Sequence, residues 1–531
     1  MFRAGGRPPI TYIFTCCLFF VAGCIYRSLW THPLEKFSPP APKGNIWHQS
    51  NKVSSTALEQ ELQTLMKVIE WPEPPGPTDY EFSTSPNTTE FHMLFPRATY
   101  YVGEYVEVLI IARDHKGRPK AYGGDYFQAK LHSPMLKAGV TGSVTDHRNG
   151  TYTASFLLLW PGQVEISITL VHSTEAIAIL KDKRETRPDK VYFYGYFHGT
   201  SEVMECNVKP PGKDVCEYHD PYTGESWFCM RPKQGGCSAY KGHAAGGSRD
   251  ILTSEEARFL DKSVKEKLIS SKVESFNVFS PTTNVDSRAH CSPGLPNPDP
   301  SGFYFQDIWY SRVCKNRAFP HPANVTECLR GKIIYIFGDS TTKQWWDFLL
   351  SFVPSLQRQD LHALFPAPQL AVDTSHKFAI QWQMHEKPLY IMYSDKQNVH
   401  YVASELERIG GNKEGLVVVI NCMAHFVTYP VKVYAQRLLG IRDSVVKLMK
   451  RSPLAKVFIK SGNTGYVYTH GSDWLSLQLD LVMRTMFSGL PVTILDCWQM
   501  TSCHYLPPDI HPAPVIVKNE IDLLMSFICP T

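Results

Sequence analysis

The sequence predicts a multidomain chain: a β-sandwich, a cysteine-rich segment, and then an α/β region with a mostly parallel sheet. Three observations carry this. Between residues 91 and 175 apolar side chains recur every second position, broken by turn residues such as Asp114-His115-Lys116-Gly117 and Trp160-Pro161-Gly162. That is the pattern of short, half-buried strands. Cys206, Cys216, Cys229 and Cys237 crowd one Gly- and Pro-rich stretch. From Gly302 onward, apolar runs of strand length alternate with helical patterns, as in doubly wound folds. At 531 residues the chain is too long for a single core. Its 43% hydrophobic content is that of a globular protein, and a net charge of +4 over this length leaves no basic stripe for nucleic acid.

Arg3 and Arg7 precede an uncharged, apolar run over residues 10–26. Residues 1–9 read as a cytosolic tail. The run is either a single signal-anchor in the membrane or a signal peptide cleaved near Val21-Ala22-Gly23. On both readings everything after Arg27 is lumenal or extracellular. Sequons at Asn87, Asn149 and Asn324 agree with that compartment. Residues 27–90 have the composition of a stem. Proline-rich strings flank one amphipathic helix, with Leu62, Leu65, Met66 and Ile69 on a face opened by the capping pair Thr56 and Glu59. That helix either self-associates or packs on the domain that follows.

The sandwich occupies residues 91–175, with strands at 105–111, 149–156 and 163–170. The cysteine-rich segment covers 176–245. Its four cysteines lack a Cys-x-x-Cys pair and sit in an oxidising lumen, so two disulfides are expected rather than zinc. Three of the fourteen cysteines lie in the apolar run, which leaves an odd number outside it and at least one without an intrachain partner. A connecting region, 246–300, leads to the α/β domain at 301–531. There, strands are expected at 333–337, 416–421, 456–461 and 492–496, with 378–384 and 389–394 as strands of the sheet or as a hairpin or insertion, and helices at 341–350, 431–450, 474–487 and 515–527.

Gly338-Asp339-Ser340 stands between a buried strand and a helix, so Ser340 projects from the carboxyl edge of the sheet. Amides at the helix start suit an oxyanion there. A nucleophilic hydroxyl needs a base, and Asp509-Ile510-His511-Pro512 supplies a histidine with a nearby carboxylate. The plainer readings are a helix cap for Ser340 and a surface histidine for His511.

Gly338-Asp339-Ser340-Thr341, followed by Lys343-Gln344-Trp345, together with Asp509-Ile510-His511-Pro512, resembles the neurexophilin and PC-esterase domain (NXPE) family from about Thr89 onward. The C-terminal part looks like the GDSL/SGNH hydrolases and the plant polysaccharide O-acetyltransferases, whose opening Gly302-Phe303-Tyr304, Trp309 and Cys314 resemble. The Asn149-Gly150-Thr151-Tyr152 and Pro161-Gly162-Gln163-Val164 strings look like a filamin-type immunoglobulin-like repeat. The resemblance implies Ser340 as nucleophile, His511 as base and Asp509 as its orienting carboxylate. Here the Asp-to-His spacing is two rather than the usual three, with Pro508 at the expected position. A backbone carbonyl or Asp496 is the alternative orienter. Asn421 and His425 fall at oxyanion or substrate positions, where Met423 replaces a glycine. Lys343 stands where the family often has arginine, either facing an anionic substrate or donor or simply solvated.

The implied activity is secretory-pathway O-acyl transfer, most plausibly of acetyl, to glycan hydroxyls. Sialic acid on glycoproteins is the named acceptor and acetyl-CoA the donor, with no bound cofactor or metal. One alternative is a carbohydrate acyl esterase. The other is a non-enzymatic secreted ligand that binds a cell-surface receptor through its sandwich. The location is a Golgi type II membrane protein or a secreted one.

Overall fold

The sheet that carries Ser340 is built as its sequence pattern dictates. Five runs of mostly apolar, β-branched residues form parallel strands: β1 (Ile333–Gly338), β2 (Phe378–Met384), β3 (Leu416–Ile420), β4 (Lys456–Lys460) and β5 (Thr493–Leu495). They lie in the order β2-β1-β3-β4-β5, with Gln369–Asp373 and Gln357–Gln359 added antiparallel beyond β2. β3 is buried at every position, as a strand covered on both faces must be. On one face α1 (Ser340–Phe352) and α4 (Pro514–Ile528) pack Trp345, Trp346, Val517 and Ile521 against Ile334, Ile336, Val417 and Val419. On the other, α2 (Val431–Arg451) and α3 (Asp473–Met486) pack Leu438, Ile441, Leu479 and Val482 against Val418, Ile420 and Phe337. Each such side chain contributes about 2 kcal/mol by burial. The order reverses direction between β1 and β3, and the crevice outside their carboxyl ends is where such sheets bind ligands.

This computed structural model describes residues 55–77, 79–220, 224–280, 288–362, 366–387, 393–398, 400–411, 414–466 and 471–530. The expected anchor or signal at 10–26, most of the stem, and most of the strand expected at 389–394 lie outside them. The chain divides at Ser55, and Thr56–Thr531 is one compact unit. Among the described residues no helix is long and apolar enough to cross a membrane, and no cluster of three or more His, Cys, Asp or Glu is placed to hold a metal.

In front of the α/β sheet stands a large curled β-region. Strands Tyr105–Ile111 and Thr151–Leu157 face Tyr126–Ser133 and Gly162–His172 across one core that includes Val108, Ile110, Phe156, Leu131 and Ile168. Ala138–Asp146 belongs to both layers. Its first half pairs with Tyr126–Ser133 and its second with Thr151–Leu157. Gly302–Phe305, at the head of the C-terminal region, adds to the same sheet through Tyr304 opposite Gly139. The helix Ser55–Val68 lays Leu62, Leu65 and Ile69 into the same core as α2, with Glu61 ion-paired to Arg442.

The cysteine-rich segment forms most of a second sheet, stapled by Cys206–Cys229 and Cys216–Cys237. Ser394–Asp395 from the α/β region joins its edge, and buried Arg437 of α2 holds Glu225 bidentately at 2.6 and 2.9 Å. Two further disulfides are Cys291–Cys314 and Cys328–Cys529. Cys422, Cys497 and Cys503 are buried thiols. Four disulfides fit a lumenal or secreted protein. Asn87, Asn149 and Asn324 are all exposed.

Candidate active site

β1 ends at Gly338 because nothing larger fits. A Cβ there would stand 2.3 Å from the Asn421 carbonyl and 2.7 Å from Thr342 Oγ1. Asp339 is extended (φ −99°, ψ −166°) and caps α1, its Oδ1 accepting from the Thr341 amide at 2.9 Å and the Thr341 hydroxyl at 2.7 Å. Its Oδ2 accepts from the Ala424 amide at 3.1 Å, tying the serine turn to the loop after β3. Ser340 is thus the first residue of α1, half-buried, with an amide that no helical carbonyl consumes.

Ser340 Oγ lies 2.8 Å from His511 Nε2, although the two are 171 positions apart in sequence. The loop carrying His511 is held from several sides. Asp509 Oδ1 accepts from the His511 backbone amide at 2.9 Å. Asn463, after β4, donates to the Ile510 carbonyl at 2.9 Å, and Gln344 of α1 to the Pro512 carbonyl at 3.4 Å. Gly465, at φ +91°, lets the loop pass so close that a Cβ would lie 2.4 Å from the Asp509 amide. Among the described residues neither Asp509 nor Asp496 bonds to the His511 ring. Asp496 caps the helix Cys497–Ser502 and pairs with Arg484 at 2.7 Å.

The residues expected at oxyanion positions are arranged around the switch crevice. The Asn421 amide nitrogen donates to the carbonyls of Lys460 (2.9 Å) and Ser461 (3.3 Å), latching the end of β4 to β3. His425 Nδ1 is 2.9 Å from His385 Nε2, and His385 Nδ1 is 2.5 Å from the Glu386 carbonyl. A carbonyl only accepts, so His385 Nδ1 carries the proton and its Nε2 accepts from His425 Nδ1. In the neutral pair, His425 Nε2 is therefore an acceptor rather than an oxyanion donor. Burial, with His425 beside it, holds His385 well below the usual histidine range.

Met423 sits at φ −79°, ψ −44°, a conformation open to any L-residue, and packs where Gly462 leaves room. Lys343 pairs along the helix with Asp347 at 2.5 Å. Burial pushes the neighbouring Cys422 thiol up to about 12, which makes it a poor rival nucleophile.

Sequence reasoning missed Asn463, Gly465, Gln344 and His385. Asn463 and His385 both follow parallel strands, so the carboxyl-edge rule was the signal available for them. Gln344 lies one helical turn beyond Ser340, and nothing in the sequence links it to Pro512.

A doubly wound sheet with a serine–histidine pair at its switch point defines the class as an α/β protein. Family descriptions then match along most of the chain: "Neurexophilin" over residues 58–251 and "NXPE family member 4-like, C-terminal domain" over 309–529. The chain belongs to the NXPE family. Among solved structures it has shallow similarity to the Escherichia coli adhesin FdeC (10% identity, TM-score 0.14), covering 37% of this chain and 65% of that one. A second is invasin, a bacterial integrin-binding protein (10% identity, TM-score 0.13), covering 57% of this chain and 61% of that one. The chain thus spans less than two thirds of either length. At these scores neither likeness bears on fold or function.

Proposed function

We propose that this protein is a serine O-acyltransferase of the secretory pathway that acetylates glycan hydroxyls. The observation that carries this is the 2.8 Å contact between Ser340 Oγ and His511 Nε2 at the switch point of the sheet. Ser340 Oγ attacks the thioester carbonyl of acetyl-CoA while His511 Nε2 takes its proton. The Ser340 amide, at the start of α1, stabilises the oxyanion. The thiolate leaves and takes the proton back from His511, giving an acetyl-serine. A sugar hydroxyl then attacks, His511 takes that proton and passes it to the departing Ser340 Oγ, and the acetate ester leaves on the glycan with the serine and histidine restored. Asp509 supports the loop of His511, and the His511 ring works without a carboxylate partner among the described residues.

Sialic acid as acceptor, acetyl-CoA as donor and anchorage in the Golgi follow from the resemblance alone. The neurexophilin match over residues 58–251 favours a second reading, in which the front half is a receptor ligand and the α/β part a scaffold. Mass spectrometry of base-labile O-acetyl on glycans separates the readings, using cells that express wild type or Ser340→Ala at equal levels. A rise with wild type alone supports transfer. A fall with wild type alone means an esterase. Equal levels, with both proteins folded and delivered, favour the ligand.

A further inference from the structure

A cleft of about 710 Å³ lies between the curled β-region and the α/β sheet. Its volume falls within the roughly 300–1,000 Å³ of small-ligand sites. One wall is the polar side of Tyr126–Ser133 and Gly162–His172, whose other side buries Leu131, Ile168 and Leu170 in the sandwich core. In an isolated sandwich that polar side would face bulk water. Here it is roofed by Trp498, Gln499 and the segment Tyr505-Leu506-Pro507-Pro508. Trp71 closes one end, its indole N–H donating to the Gly124 carbonyl at 2.7 Å. Pro508 and Gly465 line the cleft and also touch the turn that carries His511, so the cleft and the Ser340–His511 pair share a wall.

The lining selects its ligand by chemistry. Three half-buried rings, Trp71, Trp498 and Tyr505, offer flat apolar faces that match the C–H face of a pyranose. Gln128, on the strand wall opposite, donates its amide nitrogen to the Tyr126 hydroxyl at 3.2 Å and to Asp473 at 3.1 Å, so what it can offer a ligand is its carbonyl oxygen. The charged residues of the lining are Asp125, Asp146, Glu266, Asp299 and Asp473 against Lys130, apart from His132. The Lys130 ammonium already donates to the His504 carbonyl at 2.9 Å, and burial lowers its pKa. Burial raises the Asp125, Glu266 and Asp473 carboxyls as well, so among the described residues the lining carries no net positive charge to draw in carboxylated sugars or the phosphates of a coenzyme. We propose that this cleft binds an uncharged oligosaccharide of hexose or N-acetylhexosamine units. The assignment rests on the cleft alone and does not require Ser340 to be catalytic. Where the acyltransfer reading holds, the cleft seats the neutral part of the acceptor chain.

The test uses the full-length Ser340→Ala protein, titrated by saturation-transfer NMR with a neutral N-acetyllactosamine oligosaccharide and with its sialylated counterpart. Saturation transfer to the neutral chain is expected, with at least tenfold weaker binding to the Trp498→Ala variant. Thr169→Trp provides a second block that fills the cleft from the strand wall. It should abolish binding with far-ultraviolet circular dichroism and melting temperature unchanged. Binding that survives both substitutions overturns the proposal. So does no binding of the neutral chain at millimolar concentration. Loss of this binding leaves acylation of Ser340 untouched, and a dead Ser340 leaves this binding untouched, so the two proposals fail separately.

Discussion

Ser340 and His511 meet at 2.8 Å but are held there by opposite means. Ser340 is fixed locally by the strand before it, the Asp339 cap beside it and the helix it begins. His511 is fixed from afar, by Asn463 after β4, by Gln344 on α1 and by the close passage over Gly465. Its only local support among the described residues is the Asp509 carboxylate on its backbone amide. The serine is thus a property of one supersecondary unit, the histidine a property of the assembled sheet. Damage remote in sequence should therefore reach the base before it reaches the nucleophile.

The comparison breaks most sharply at Ser340→Ala, which removes the hydroxyl and nothing that holds the fold. Acyl transfer should drop by at least ~10³-fold, with the melting temperature unchanged. Next comes Gly465→Val, which places a side chain against the Asp509 backbone and shifts the base by a fraction of an ångström or more. A loss of about 10²-fold in turnover is expected, while a small serine-reactive fluorophosphonate still labels Ser340, though more slowly. Asn463→Ala, which frees the Ile510 carbonyl and also takes a 2.7 Å acceptor from the buried Lys460 ammonium, should lose about tenfold in turnover and ~2–4 kcal/mol of stability by denaturant titration. Asp339→Ala tests the local half. It removes the cap and the tie to Ala424, costing about 1–2 kcal/mol, and should slow labelling of Ser340 more than Asn463→Ala does. The smallest effect is expected from Asp509→Ala, under tenfold in turnover, because its carboxylate serves a backbone amide. A loss near ~10⁴-fold would instead mark it as the orienter of the ring.

The same contrast explains what was legible in the sequence. The serine turn could be read because one short window holds its strand, cap and helix, and β1 and α1 fall where that window places them. Strand Tyr105–Ile111 was equally clear, since it is an unbroken apolar or alternating run, whereas β2 was legible as a strand but not as the parallel neighbour of β1. Strand Ala138–Asp146 was not read as one. Gly139 and Gly142 blur its alternation, and both are needed for close packing, the first against the Cys503 carbonyl and the second against the Phe156 ring. Disulfide pairing was beyond reach because four cysteines allow three connectivities. The supports of His511 stayed hidden because nothing in sequence places Asn463 and Gly465 beside a turn more than forty residues later. The Asp509 motif did reveal that turn, although the carboxylate faces the amide rather than the ring.

The most direct measurement is mass spectrometry of the Ser340-containing peptide after brief exposure of purified protein to acetyl-CoA and acid quench. The account predicts one acetyl group on Ser340, absent in Ser340→Ala and strongly reduced in His511→Gln. An unmodified Ser340 peptide, alongside O-acetyl transfer to glycans that persists in Ser340→Ala, would contradict it.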